Sequence, residues 1–170
     1  MRIARSLMAF ACSLGCAGAQ ATLVSLGNGT VNDDTTNLIW LQNWNVDGRH
    51  QWNTQRAWAE NLVFGGSSAW VLPSIDQYQA LFTAYGDLSQ VTAFTNVQLD
   101  SYWSSTESSF GDPWIFYPVQ GSRTYDFQSN EYFAVAVRPG DAPTVVPEPR
   151  TLALALAALG ATAAARRRRT

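Results

Sequence analysis

Asn37-Leu38-Ile39-Trp40-Leu41-Gln42 is an apolar run held between polar neighbours, and it predicts a buried strand near the start of a folded domain. Upstream, Leu23 to Val31 predicts two short strands around Asn28-Gly29, a pair that tolerates the positive φ of a tight hairpin. Asn28-Gly29-Thr30 also matches a glycosylation sequon and is read as a turn only. Downstream comes a polar loop containing Trp44 and Trp52. Thr54 then offers a cap for a helix to about Val63, with Ala57, Trp58 and Leu62 toward the core and Gly65-Gly66 as its stop. Ala69 to Pro73 predicts a brief extended segment.

Ser74-Ile75-Asp76-Gln77 has the spacing of a capping box, in which the serine and glutamine side chains satisfy each other's backbone donors. Tyr78, Leu81, Phe82 and Tyr85 follow at helical spacing, and Gly86 is a natural stop. The second half predicts strands over Tyr102–Thr106, Pro113–Val119, Tyr125–Phe127 and Tyr132–Val137, divided by Gly121-Ser122 and Gln128-Ser129-Asn130 turns. Strands, two helices, then strands without alternation argue for an α+β fold with an antiparallel sheet and two short helices.

Charge separates this domain from its ends. Between Thr22 and Pro147 there is no lysine, and only Arg49, Arg56, Arg123 and Arg138 oppose twelve acids, a net charge of −8. The whole chain carries −2, because seven of its eleven arginines lie outside that span. Such an acidic domain is a poor partner for nucleic acid. All seven tryptophans, all six tyrosines and seven of eight phenylalanines fall inside it, so most of these rings are expected to build the core. About 120 residues make one domain with a single core.

The two ends predict export. Met1-Arg2-Ile3-Ala4-Arg5 is a basic leader, Leu7 to Leu14 is apolar, and Ala17-Gly18-Ala19 and Ala19-Gln20-Ala21 are both small-x-small cleavage sites, with cleavage after Ala21 favoured. Residues 1–21 are therefore read as a signal peptide. A lipoprotein signal would need leucine where Ser13 stands, three residues before Cys16. Both cysteines, Cys12 and Cys16, leave with the leader, so the mature domain has no disulfide. At the other end, Thr151 to Ala165 is an apolar run before Arg166, Arg167, Arg168 and Arg169. As a helix it is about 22 Å long, against roughly 30 Å of bilayer hydrocarbon. Arginines at both flanks keep the ends in the cytoplasm and the middle outside. Hydropathy alone allows an ordinary single-pass transmembrane anchor, though a helix this short and alanine-rich is a poor permanent one.

The order of its parts suggests more. Pro147-Glu148-Pro149, a short apolar helix and a terminal arginine cluster resemble the PEP-CTERM sorting signal of Gram-negative bacteria. That resemblance implies a transient partner, the membrane transpeptidase exosortase, cutting near Pro147-Glu148-Pro149. The organisation that follows is a signal peptide over 1–21, a domain over 22–140, a linker over 141–146 and a sorting signal over 147–170. The precursor would be tethered in the inner membrane, and the product would lie on the outer surface or in the extracellular matrix.

Asn37-Leu38-Ile39-Trp40-Leu41-Gln42 resembles the opening motif of the DUF1566 family, also called the Lcl C-terminal domain. Ala57-Trp58-Ala59, Gly65-Gly66, Tyr102-Trp103-Ser104-Ser105-Thr106 and Ala136-Val137-Arg138-Pro139-Gly140 match its later signatures in order. The resemblance implies a C-type-lectin-like fold and surface adhesion. Val71 stands where the family's Trp-Arg-Leu-Pro element has arginine; if that arginine makes a structural ion pair in relatives, this chain must pack the site apolarly. Some members bind sulfated polysaccharides, a ligand that four arginines and a charge of −8 do not suit.

A search for chemistry yields no catalytic residue and no cofactor. The single histidine, His50, would need Ser104 or Ser105 beside it for a hydrolase triad, and neither serine sits in a nucleophile elbow. Asn32-Asp33-Asp34 and Asp112 lack the Asp-x-Asp spacing of a calcium loop and are read as solvated turn acids, so no metal is assigned. Two functions stay open. One is a ligand-binding adhesion module for an extracellular polysaccharide, with Trp44, Trp52 and Trp114 in loop-rich stretches as the candidate stacking rings. The other is a purely structural protein of the biofilm matrix.

Overall fold

The computed structural model describes residues 21–140. Residues 1–20 of the expected signal peptide, the expected linker 141–146, Pro147, Glu148, Pro149, the apolar run and Arg166 to Arg169 lie outside the described residues. Among the described residues no helix is long and apolar enough to cross a membrane.

The described chain is a mixed α and β domain with antiparallel sheets and two helices. Strand β1 (Leu23–Ser25) turns through Asn28-Gly29 into β2 (Thr30–Asp33), as the turn pair predicts. Asn28 closes that turn, its Oδ1 accepting from the Thr30 hydroxyl at 2.6 Å. β3 (Leu38–Leu41) pairs with β2 and, on its other side, with β9 (Val137–Pro139). The first and last strands thus share one four-stranded sheet in the order β1-β2-β3-β9. Asn37, with φ 53°, turns the chain into β3 and accepts the Gly140 N–H at 2.8 Å. A Cβ at Gly140 would stand 2.5 Å from the Asn37 side chain, so only glycine leaves room for this closure.

The expected single sheet is instead three. A two-stranded piece joins β4 (His50–Gln51) to β8 (Glu131–Tyr132), and a three-stranded sheet runs β5-β6-β7 (Tyr102–Glu107, Pro113–Phe116, Arg123–Tyr125). The predicted strand Tyr132–Val137 is consequently broken. Its start pairs with β4, Phe133 bridges Tyr102 in parallel, and Val137 reaches β3. Ala134, Val135 and Ala136 cross the core between these partners, fully buried. Small side chains suit such a crossing, where backbone must approach backbone.

Helix α1 (Trp52–Glu60) begins two residues before the expected cap, Thr54. Its N-cap, Gln51, is the last residue of β4 and makes no side-chain cap bond. The Trp52 N–H is satisfied instead by the Gln128 carbonyl at 3.2 Å, so tertiary contact replaces local capping. The buried stripe is accordingly Trp52, Gln55 and Ala59, while Ala57 is exposed and Trp58 and Leu62 are half-buried. Helix α2 (Ile75–Tyr85) carries the predicted capping box, with Gln77 N–H to Ser74 Oγ at 3.1 Å and Ser74 N–H to Gln77 Oε1 at 2.8 Å. A short 3-10 turn, Leu88–Gln90, follows, and its Leu88 N–H binds the Pro118 carbonyl at 3.0 Å.

The core is aromatic. Trp40, Trp44, Tyr78, Phe94, Tyr102 and Phe116 touch ring to ring between the sheets and α2, and the Tyr78 and Phe116 rings stack at 4.8 Å. Burial pushes the hydroxyls of Tyr78 and Tyr102 well above the ordinary phenol range. The expected apolar packing of position 71 is not found. Val71 bridges Val137 through its backbone and is 44% exposed, since a residue between buried Trp70 and Leu72 on an extended segment points outward.

Candidate functional site

The expectation that Trp44 and Trp52 are exposed is overturned. Trp44 is 0% exposed, stacked on Trp40 and packed edge-on to Tyr102. Its loop is pinned inward by Trp44 N–H to Thr95 carbonyl at 2.9 Å and Thr95 N–H to Gln42 carbonyl at 2.8 Å. Trp52 is 2% exposed because it opens α1, where its Nε1 donates to the Ser104 carbonyl at 2.8 Å and Arg56 lies 4.8 Å over its ring. Neither ring offers a face to a ligand. His50 and Ser104 are also engaged apart. The His50 ring meets the Asp47 carbonyl at 2.9 Å, and Ser104 Oγ points to the Thr106 carbonyl. Asp33 turns inward, accepting from Thr35 N–H, the Thr36 hydroxyl and the Tyr85 hydroxyl.

Trp114, half-buried against the core, is the one of the three candidate rings that is not fully buried. It lies in β6 directly opposite Tyr125 of β7, and the alternation of a strand puts it on the face that carries Phe116. Helix α2 covers Phe116 with Tyr78 and Phe82. At Gly121, in the β6–β7 turn, any side chain would run into the Phe82 ring, and φ +68° also favours glycine, so the helix seats closely there. Past this cover the face continues as Trp114 and Tyr125, ring centroids 5.6 Å apart and planes 81° apart. Arg123 lies 5.5 Å from the Trp114 ring and 3.5 Å from Asp76 in the first turn of α2.

A third ring extends the row. Phe110, 77% exposed, stands 6.0 Å from Tyr125, itself 43% exposed, with the two planes tilted by 42°. Its turn is held by Ser108 N–H to Asp112 carbonyl at 2.7 Å and Gly111 N–H to Ser108 carbonyl at 3.0 Å. Gln128 braces it from the next loop, giving its Nε2 to the Gly111 carbonyl at 3.1 Å and taking the Asn53 amide at 3.2 Å. Phe127 nearby in sequence is also exposed. The result is a shelf of rings on a braced hairpin, rimmed by one cation.

Beyond the same loop, Tyr132 donates to Asp126 at 2.6 Å. That bond holds the Asp126 carboxyl below the usual carboxylate range and, with burial, pushes the Tyr132 hydroxyl up to about 12. Arg49 sits within 6 Å of the Tyr132 and Phe133 rings while donating to the Glu131 carbonyl and meeting Asp100 at 3.2 Å. Its donors are thus largely used within the fold.

Phe110, Arg123 and Tyr125 were not among the residues expected to form a site. A signal was present. Phe110 sits in Ser-Ser-Phe-Gly-Asp, turn chemistry in which a large ring has little chance of burial.

An aromatic-cored α and β domain presenting a surface ring shelf is the class that fold and site define. The chain belongs to the Lcl C-terminal domain family, whose pattern matches residues 29–138. No curated protein matches it.

Proposed function

We propose that this is an exported, exosortase-sorted envelope or matrix protein whose domain binds extracellular glycan through Phe110, Tyr125 and Trp114. The observation that carries the binding half is the exposure of Phe110 and Tyr125, side by side on a braced hairpin next to half-buried Trp114. Aromatic faces gain by covering the C–H faces of sugars, and burying such rings against a ligand removes apolar area from water. A charge of −8 between Thr22 and Pro147 favours neutral over anionic polymers. The sorting half rests on Pro147-Glu148-Pro149, the apolar run and the arginine cluster.

We read the fold as C-type-lectin-like, on the support of the shared sheet for first and last strands and the two helices before the later hairpin. The domain is a binding module and not an enzyme on this reading. His50 and Ser104 are held by separate partners. A glycan array probed with the detergent-solubilised full chain tests the proposal. Binding lost with Tyr125→Ala supports it, and a blank array favours the purely structural matrix role.

A further inference from the structure

The tilt of the shelf points to a particular form of ligand: the interior of a single hydrated chain of a neutral polysaccharide, in place of a crystalline surface or a chain end. This rests on the glycan reading above and deepens it. Tyr125 and Phe110 are neighbours at 6.0 Å, but their planes differ by 42°. Two rings so tilted cannot both lie flat against one planar array of sugars. They can each cover one residue of a chain that twists between successive units, as a hydrated chain is free to do.

Openness argues against chain ends. Recognition of a terminal sugar needs a wall that closes behind it. Here Tyr125 touches both Phe110 and Trp114, and exposure rises from half-buried Trp114 through Tyr125 to Phe110. A polymer can enter and leave along this row. Arg123, beside the Trp114 ring and 3.5 Å from the highly exposed Asp76, offers N–H donors to sugar hydroxyls at the rim. One cation beside so many acids suits hydroxyl oxygens better than a run of carboxylates or sulfates.

Affinity electrophoresis of the full chain in detergent, through gels holding mixed-linkage β-glucan, galactomannan or dextran, tests this. Retardation by at least one polymer is expected, undiminished by its free monosaccharide and weakened roughly 3- to 10-fold by Tyr125→Ala. Tyr125→Phe keeps the ring and is expected to keep the binding, which separates stacking from loss of fold. Equal capture by microcrystalline cellulose, displacement by monosaccharide, preference for the polyanion alginate, or retardation indifferent to Tyr125→Ala overturns the inference. The first three of these leave glycan binding itself standing. No binding to any polymer in the gels or on the array overturns both.

Discussion

Tyr85 donates its phenolic hydrogen to Oδ1 of Asp33 across 3.0 Å, tying the last residue of α2 to the last residue of β2. Asp33 is buried, and its other bonds come from Thr35 N–H at 3.1 Å and the Thr36 hydroxyl at 2.6 Å. One carboxylate therefore shapes the turn before β3 and anchors the helix that covers the three-stranded sheet. A buried carboxylate is tolerable only with such a full set of donors.

Removing one donor tests that weight. Tyr85→Phe is expected to cost about 1.5 kcal/mol, the low end for a hydrogen bond to a charged group. Asp33→Ala strands two hydroxyls and is expected to cost about 3 kcal/mol. Urea unfolding followed by tryptophan fluorescence reads both. An unchanged midpoint for Tyr85→Phe would mean that water replaces the bond freely.

The Tyr132–Asp126 bond predicts stability that falls at both ends of the pH scale. Tyr132 holds the Asp126 carboxyl below its usual range, so that stabilisation is full above about pH 4 and fades as pH falls through the folded-state value. The Tyr132 hydroxyl is raised to about 12, chiefly by the same bond, so its contribution is full below about pH 10 and fades as pH rises through 12. Tyr132→Phe is expected to flatten the acid limb attributable to Asp126 and to remove Tyr132's share of the alkaline one, leaving the share of buried Tyr78 and Tyr102. Urea midpoints across pH, wild type against variant, measure it, and superimposable curves would refute the linkage.

The tryptophans divide by burial. Trp103 is buried, gives its Nε1 to the His50 carbonyl at 2.9 Å and packs edge-on to Tyr132, so Trp103→Ala is expected to cost ~3–5 kcal/mol. Trp44 and Trp52 now belong with it. Trp114→Ala is expected to cost less than any of these three while weakening glycan binding. Stability and binding measured on the same four variants decide the matter. A stable Trp44→Ala beside an unfolded Trp114→Ala would reverse core and shelf.

What could be read from sequence followed from how local the physics was. The Asn28-Gly29 turn and the Ser74–Gln77 capping box are complete within four residues, and both formed where expected. The start of α1 was missed because its first donor is satisfied by Gln128, more than seventy residues away. Trp44 and Trp52 were misplaced for the same reason. Polar neighbours suggested a surface loop, while backbone bonds to Thr95 and the pairing of β4 with β8 turned both rings inward. Trp114 was found among the candidates, but its partners were not, since only the β6–β7 register sets Tyr125 opposite it.

Processing turns on Pro147-Glu148-Pro149 under the proposed sorting route. Two prolines so spaced disfavour helix, and an extended segment is the form a protease cleft accepts. The apolar run from Thr151, about 22 Å as a helix, would hold the motif just above the outer face of the inner membrane, with the arginines inside. On that route the stretch from Asp141 to Val146 would leave reach for an embedded transpeptidase. A reporter fused after Gly140 is accordingly expected to work only outside the cytoplasm. Replacing Pro147 and Glu148 by alanine is expected to leave export and folding intact, and the full-length form then accumulates in the inner membrane with its tail. Mass spectrometry of the surface or secreted fraction decides between routes. Wild-type protein recovered there with Arg166 to Arg169 still attached would make the tail a plain anchor.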